Sequence, residues 1–147
     1  MIFEWQREQY TISTNRERLD FNVIHGFLTQ SYWAAGVPME IVKRSIENSL
    51  PFGLYENDRQ IGFARVITDY ATFAYLADVF VLDAWRGSGL GHWLVAVIDS
   101  HPQLKGLRRW MLATRDAHGL YSTVGFQSLK QPDRWMEKHD PDPYAKR

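Results

Sequence analysis

Three glycines at alternate positions follow an arginine in the run Arg86-Gly87-Ser88-Gly89-Leu90-Gly91. With so few side chains, backbone N–H groups here can come close to a ligand. The run opens a segment in which Leu90, Trp93, Leu94, Val97 and Ile98 share one face at helical spacing. A helix start adds unsatisfied N–H donors and the positive end of its dipole. Arg86 adds a permanent charge of the kind that pairs with phosphate oxygens. The chemistry these features suit is the cradling of an anion, most naturally a diphosphate. Two other phosphate loops do not fit. A Walker loop needs Lys and then Ser or Thr after its last glycine, where this chain has His92-Trp93. A dinucleotide fingerprint counted from Gly87 would need a third glycine at His92. For an isolated glycine triplet, a tight turn without a ligand is the competing reading.

This loop is not isolated. The stretch from Asp78 to Gly91 resembles the acetyl-CoA motif of the GNAT superfamily of N-acetyltransferases. That motif is a strand and a short connector, then Arg/Gln-x-x-Gly-x-Gly/Ala opening a helix. Leu120-Tyr121-Ser122-Thr123-Val124-Gly125-Phe126 is similar to the family's L-Y-x-x-x-G-F segment. The two motifs come in the family's order, and the resemblance covers nearly the whole chain.

The resemblance implies acetyl-CoA as acetyl donor. Val79, Phe80 and Val81 would offer backbone groups to its pantetheine arm. Arg86, Gly87, Ser88, Gly89, Leu90 and Gly91 would hold its pyrophosphate. Tyr121 matches the tyrosine that protonates the departing thiolate in many relatives, and a phenol can deliver a proton as sulfur gains charge. Relatives often place asparagine seven residues earlier to contact the cofactor arm. Here that position is Thr114, a less extensive hydrogen-bonding partner. Tyr32 and Trp33 fall where similar proteins form one wall of the acceptor cleft, and their rings suit an amine or a flat substrate.

The acceptor amine must lose a proton before or during attack. Asp78 is the nearest carboxylate, with two readings of equal weight: a catalytic or amine-binding group, or a structural hydrogen-bond acceptor. Strand alternation would put it on the face of Leu76 and Phe80, opposite Tyr75 and Val79. Some relatives carry the base at the position of Tyr75, and water is a third carrier.

The elements that must position these groups follow from periodicity. Tyr10 to Ser13 reads as a strand. Asp20 caps a helix with Phe21, Ile24, Phe27 and Leu28 on one face. Pro38 opens a second helix along Val42, Ile46 and Leu50, and Pro51 stops it. Strands follow at Phe52 to Tyr55, Gln60 to Ile67 and Phe73 to Leu82, the last apolar enough for a central strand. After the glycine loop and its helix come a strand over Leu107 to Ala113 and a short helix capped by Asp116. A last strand is expected over Phe126 to Leu129, with the charged tail from Pro132 covering an edge or lying loose. The order β-α-α-β-β-β-α-β-α-β describes an α/β chain of the α+β type. Its central sheet is mixed, mostly antiparallel and flanked by helices, in agreement with the family resemblance.

Composition narrows the function classes. Seventeen basic and seventeen acidic residues cancel, so no basic excess argues for nucleic-acid binding. Cysteine is absent, which excludes thiolate nucleophiles and disulfides. The five histidines show no metal-ligand spacing, and no metal is expected. No run is long and apolar enough to suggest a membrane partner or a leader. The expectation is a single cytoplasmic N-acetyltransferase domain over residues 1–147, with homodimerisation left open. It would move the acetyl group of acetyl-CoA to a small-molecule or peptide primary amine by direct attack. A non-catalytic CoA-binding regulatory or sensor module is the alternative, against which Tyr121 argues.

Overall fold

The computed structural model describes residues 1–145; positions 146 and 147, the end of the charged tail, lie outside the described residues. Strands β1 (Glu4–Arg7), β2 (Tyr10–Ser13), β3 (Leu50–Glu56), β4 (Arg59–Thr68), β5 (Phe73–Val81) and β6 (Arg109–Met111) form one sheet in chain order. Tight turns force antiparallel pairing. Between β3 and β4 the turn is only two residues, with Asn57 in the left-handed region that asparagine tolerates (φ 51°). Between β4 and β5, Asp69 Oδ1 accepts the amides of Ala71, Thr72 and Phe73. Those donors hold its carboxyl well below the usual range. The long connection after β5 returns β6 parallel to it.

Four helices cover the sheet: α1 (Phe21–Leu28), α2 (Met39–Glu47), α3 (Leu90–Ser100) and α4 (His118–Ser122). Asp20 caps α1 as expected, accepting from the amides of Asn22 and Val23. On one face of the sheet, Leu94, Val95 and Ile98 of α3 pack with Phe52, Leu54, Val66 and Leu76. On the other, Ile24, Leu28, Val42 and Ile46 of α1 and α2 pack with Phe63 and Phe80. The fold is thus the expected mixed sheet between helices. Among the described residues, no helix is long and apolar enough to cross a membrane.

The observed order is β-β-α-α-β-β-β-α-β-α, which corrects the sequence reading at both ends. β1 went unforeseen because its charged residues face solvent at a sheet edge, so it lacks apolar alternation. Phe126 to Leu129 is not a strand. Leu129 is exposed there, and nothing in that stretch pairs with β6. Pro51 does not separate helix from strand but lies within β3, and Leu50 belongs to that strand rather than to α2. Asp116 does not cap α4; Thr114 Oγ1 accepts the amide of Ala117 instead.

His101, at the end of α3, has no solvent exposure. Its Nδ1 accepts the amide of Gln103, which leaves the proton on Nε2 among the rings of Phe3, Trp5 and Phe52. Burial without a partner for Nε2 disfavours the cation, so its pKa lies below the ordinary 6.5. The unfolded chain therefore binds more protons than the folded one between the depressed pKa and about 6.5. Stability from this residue is fully present above that upper limit and is lost as pH falls below it. Urea denaturation at pH 7.5, 6.5 and 5.5 is expected to show this loss, with a slope of at most about 1.4 kcal/mol per pH unit. His101→Phe should flatten it, and an unchanged slope would place the titrating group elsewhere.

Candidate functional site

The site begins with an irregularity in β5. Phe63 faces Phe80 and Arg65 faces Ala77, so β5 spends three steps where β4 spends two. The extra residue is a β-bulge, and Asp78 within it takes φ 56°, a left-handed conformation uncommon for a side-chain-bearing residue. A bulge resets alternation. Leu76 points to the α3 side, whereas Phe80 points to the α1 and α2 side and stacks on Phe27 at 4.1 Å. Tyr75 pairs with Ile67, two residues from Arg65 and four from Phe63, and so shares the α1 and α2 side. Asp78 turns to this side as well. Its Oδ2 accepts from Arg65 Nε at 2.6 Å and its Oδ1 from Trp33 Nε1 at 2.8 Å. The expected grouping of Asp78 with Leu76, opposite Tyr75, is therefore corrected.

Past the bulge the sheet opens. β5 and β6 pair only from Phe73 to Tyr75 against Arg109 to Met111, and then diverge. On the other side, Leu82 donates to Ile61 O, so Phe80 faces Phe63 in the ladder. Alternation then turns the backbone groups of Val79 and Val81 toward the gap, while those of Phe80 stay in the sheet. Val79 is thus turned to the gap, whereas the carbonyl of Val81 is taken by Arg86 Nε.

The glycine loop stands at the mouth of this gap. Gly87 and Gly89 have φ of 87° and 82°, and a Cβ on either would meet nothing within 4 Å, so the space beside them is open. Gly89 occupies the position before α3, and no side chain caps that helix. The first bond of the helix is Trp93 N–H to Gly89 O, which leaves the amides of Leu90, Gly91 and His92 free of internal partners. The Leu90 side chain is buried in the core, so only its backbone serves the loop. Ser88 Oγ is turned inward to Trp85 O. Arg86 differs from expectation. Its Nε donates to Val81 O at 2.8 Å and its Nη1 pairs with Asp83 at 2.8 Å, so it braces the connector.

A cavity of about 690 Å³ lies at the other end of the gap. It gathers Tyr32, Trp33, Tyr75, Asp78, Val79, Thr114 and Tyr121, whereas the loop from Arg86 to Gly91 does not line it. Val79 borders the cavity and Val81 holds Arg86, so β5 itself links cavity to loop. Tyr121 is 9% exposed. Burial, with Tyr32 and Asp116 nearby, pushes its phenol up to about 12. Tyr32 Oη accepts the amide of Arg115, whose guanidinium lies 3.9 Å from the centre of the tyrosine ring.

Sequence reasoning missed much of the lining, including Arg65 and three residues of the tail. Arg65 is a charge within the apolar part of β4, between Ala64 and Val66, and a half-buried charge of that kind requires a partner. That signal was legible. Glu137, His139 and Tyr144 reach the cavity from the tail. No periodicity marks them, because the tail has no regular repeat there. Among the described residues, no group of three or more His, Cys, Asp or Glu is placed to hold a metal.

Comparison with known proteins places these features. Residues 47–128 match the family model described as Acetyltransferase (GNAT) domain. A Gibberella zeae protein carrying an acetyltransferase name, FG08082, is 30% identical, over 88% of this chain and 85% of its own length. A solved Xanthomonas campestris structure, described as belonging to the GNAT family, is 46% identical with a TM-score of 0.91. That alignment covers 95% of this chain and 99% of the Xanthomonas one. A Deinococcus radiodurans structure shares the fold at 21% identity, with a TM-score of 0.74 over 95% and 96% of the two chains.

The Asp78–Arg65 pair is 11% and 16% exposed at its side chains. Removing one partner leaves the other charge half-buried and alone. Arg65→Met is expected to cost about 2 kcal/mol in urea denaturation, less than the ~3–5 kcal/mol of a fully buried pair. Adding Asp78→Asn should recover part of that loss. Additive losses in the double variant would show that the two residues do not act as a pair.

Proposed function

Because this chain belongs to the GNAT acetyltransferase family, we propose that it moves an acetyl group from acetyl-CoA to a primary amine by direct attack. What carries the reading is the continuity of three features. A free-amide loop, an opened strand edge and a buried phenol lie along one gap. The loop fits a diphosphate, since its amides lack partners and the space beside Gly87 and Gly89 is open. The backbone groups of Val79 are suited to an amide-bearing arm laid in the gap, while Val81, its carbonyl held by Arg86, has only its N–H to offer.

When bound, acetyl-CoA supplies an activated carbonyl that an amine can attack, with a thiolate as leaving group. Tyr121 holds a proton at its hydroxyl for that sulfur. Its raised pKa keeps the phenol protonated throughout the neutral range. Thr114 is already engaged at the start of α4 and plays a small part. Asp78 has both oxygens engaged by Arg65 and Trp33, which suits it to fixing the cleft wall rather than taking the amine's proton. Water then carries that proton away. Tyr32 and Trp33, ring against ring at 5.1 Å, form the acceptor wall with Tyr75.

Tyr121→Phe is expected to lower kcat by about 100-fold or more in a thiol-release assay, with acetyl-CoA affinity by calorimetry nearly unchanged. Retained turnover would remove Tyr121 from the acid role. Saturable binding with no turnover on any amine would instead favour a CoA-responsive module. Gly89→Val forces a β-branched residue to φ 82° and crowds the loop's open side. It should weaken acetyl-CoA binding by about tenfold or more, and normal affinity would sink the cradle.

A further inference from the structure

A second groove, of about 820 Å³, opens on the far side of β6, away from the glycine loop. One wall is β6 and the other is the run from Phe126 to Gln131. Arg109 donates its amide to Thr72 O on the β5 side. In a parallel pair the neighbouring residue then points the other way, so the N–H and C=O of Trp110 face outward. Among the described residues, no hydrogen bond answers either group. The facing run, expected as the next strand, does not pair, and Leu129 on it is 38% exposed. The groove runs along this open edge.

The groove is also charged out of proportion to the chain. Arg108, Arg109, Lys130 and Arg134 line it against a single carboxylate, Asp99, although the whole sequence is balanced. None of the four cations makes an ion pair among the described residues. Arg109 lies over the ring of Trp135 at 4.7 Å, and that ring is itself 39% exposed.

We propose that this groove takes an extended acidic segment of a partner protein, which pairs its backbone with Trp110 and adds a strand to the edge of the sheet. An unpaired edge supplies affinity through main-chain hydrogen bonds. The four cations select acidic side chains on the incoming strand, and Leu129 and Trp135 receive the apolar ones between them. A nucleic acid satisfies the charge but has no strand backbone to match Trp110. A second copy docked edge to edge about a two-fold brings this group of four cations toward the same group on the other copy, which like-charge repulsion opposes. This inference does not rest on the acetyl-transfer reading.

The test is fluorescence anisotropy with a labelled eight-residue peptide of alternating Glu and Val. Saturable binding is expected, weakened by about tenfold or more when alternate peptide nitrogens are methylated or when Lys replaces Glu. Arg108→Glu with Arg134→Glu should cause a loss of the same order while leaving acetyl-CoA binding by calorimetry unchanged. The proposal is overturned if no acidic peptide saturates, or if the N-methylated peptide binds equally well. It also fails if a polyphosphate chain binds where the peptide does not. Sedimentation without peptide that shows a dimer abolished by the same double substitution would assign the groove to a second copy and overturn it too.

Discussion

One extra residue in β5 decides how the cleft is arranged. Without it, strict alternation would carry Asp78 to the α3 side beside Leu76, and Phe80 could not reach Phe27. Holding a non-glycine residue in the left-handed region costs on the order of 1–2 kcal/mol. The surroundings must make that cost good. Arg65 and Trp33 do so from two directions, one from the neighbouring strand and one from the loop after α1. Asp78 thereby ties the sheet to the helical layer at the point where β5 begins to leave β6. Both oxygens of that carboxylate are spent on fastening the surfaces around it.

The same irregularity governs the donor side of the cleft. A bulged strand bends and twists more strongly than a regular one. β6 stays with β5 for only three residues before the two separate. The glycine loop is carried at the end of the diverging strand, and Arg86 fixes it there through Val81 O and Asp83. What the loop presents, among the described residues, is partnerless amides and the positive end of the helix dipole, with Arg86 paired to Asp83.

Much of this was legible in the residues. The glycines, the face of α3 and the Asp20 cap follow from spacing and local chemistry alone, because each depends on neighbours within a few positions. Tyr121 became legible only through the family segment around it. The facing of Asp78 was not legible, since a bulge is set by cross-strand register rather than by the strand's own sequence. The run from Phe126 to Leu129 misled for a related reason. Whether apolar residues become a strand depends on a partner edge within reach, and this edge remains open. Arg65 could have been noticed, for a cation between Phe63 and Val66 implies a buried acceptor.

The missing pairing beyond α4 has effects on both sides of the molecule. Because residues 126–129 do not join β6, the chain continues to Trp135, which Arg109 holds by its ring. The tail then crosses to the acceptor cavity, where Glu137 and His139 form part of the wall, and Tyr144 packs against the α1 and α2 core. Between those two ring contacts, no backbone hydrogen bond ties the described part of the tail to the sheet or the helices. Segments with few buried contacts and no ladder bonds open at the lowest free-energy cost. The acceptor wall is therefore built from two materials. Tyr32, Trp33 and Asp78 form a braced side, and the tail forms a side that, among the described residues, joins no strand of the sheet.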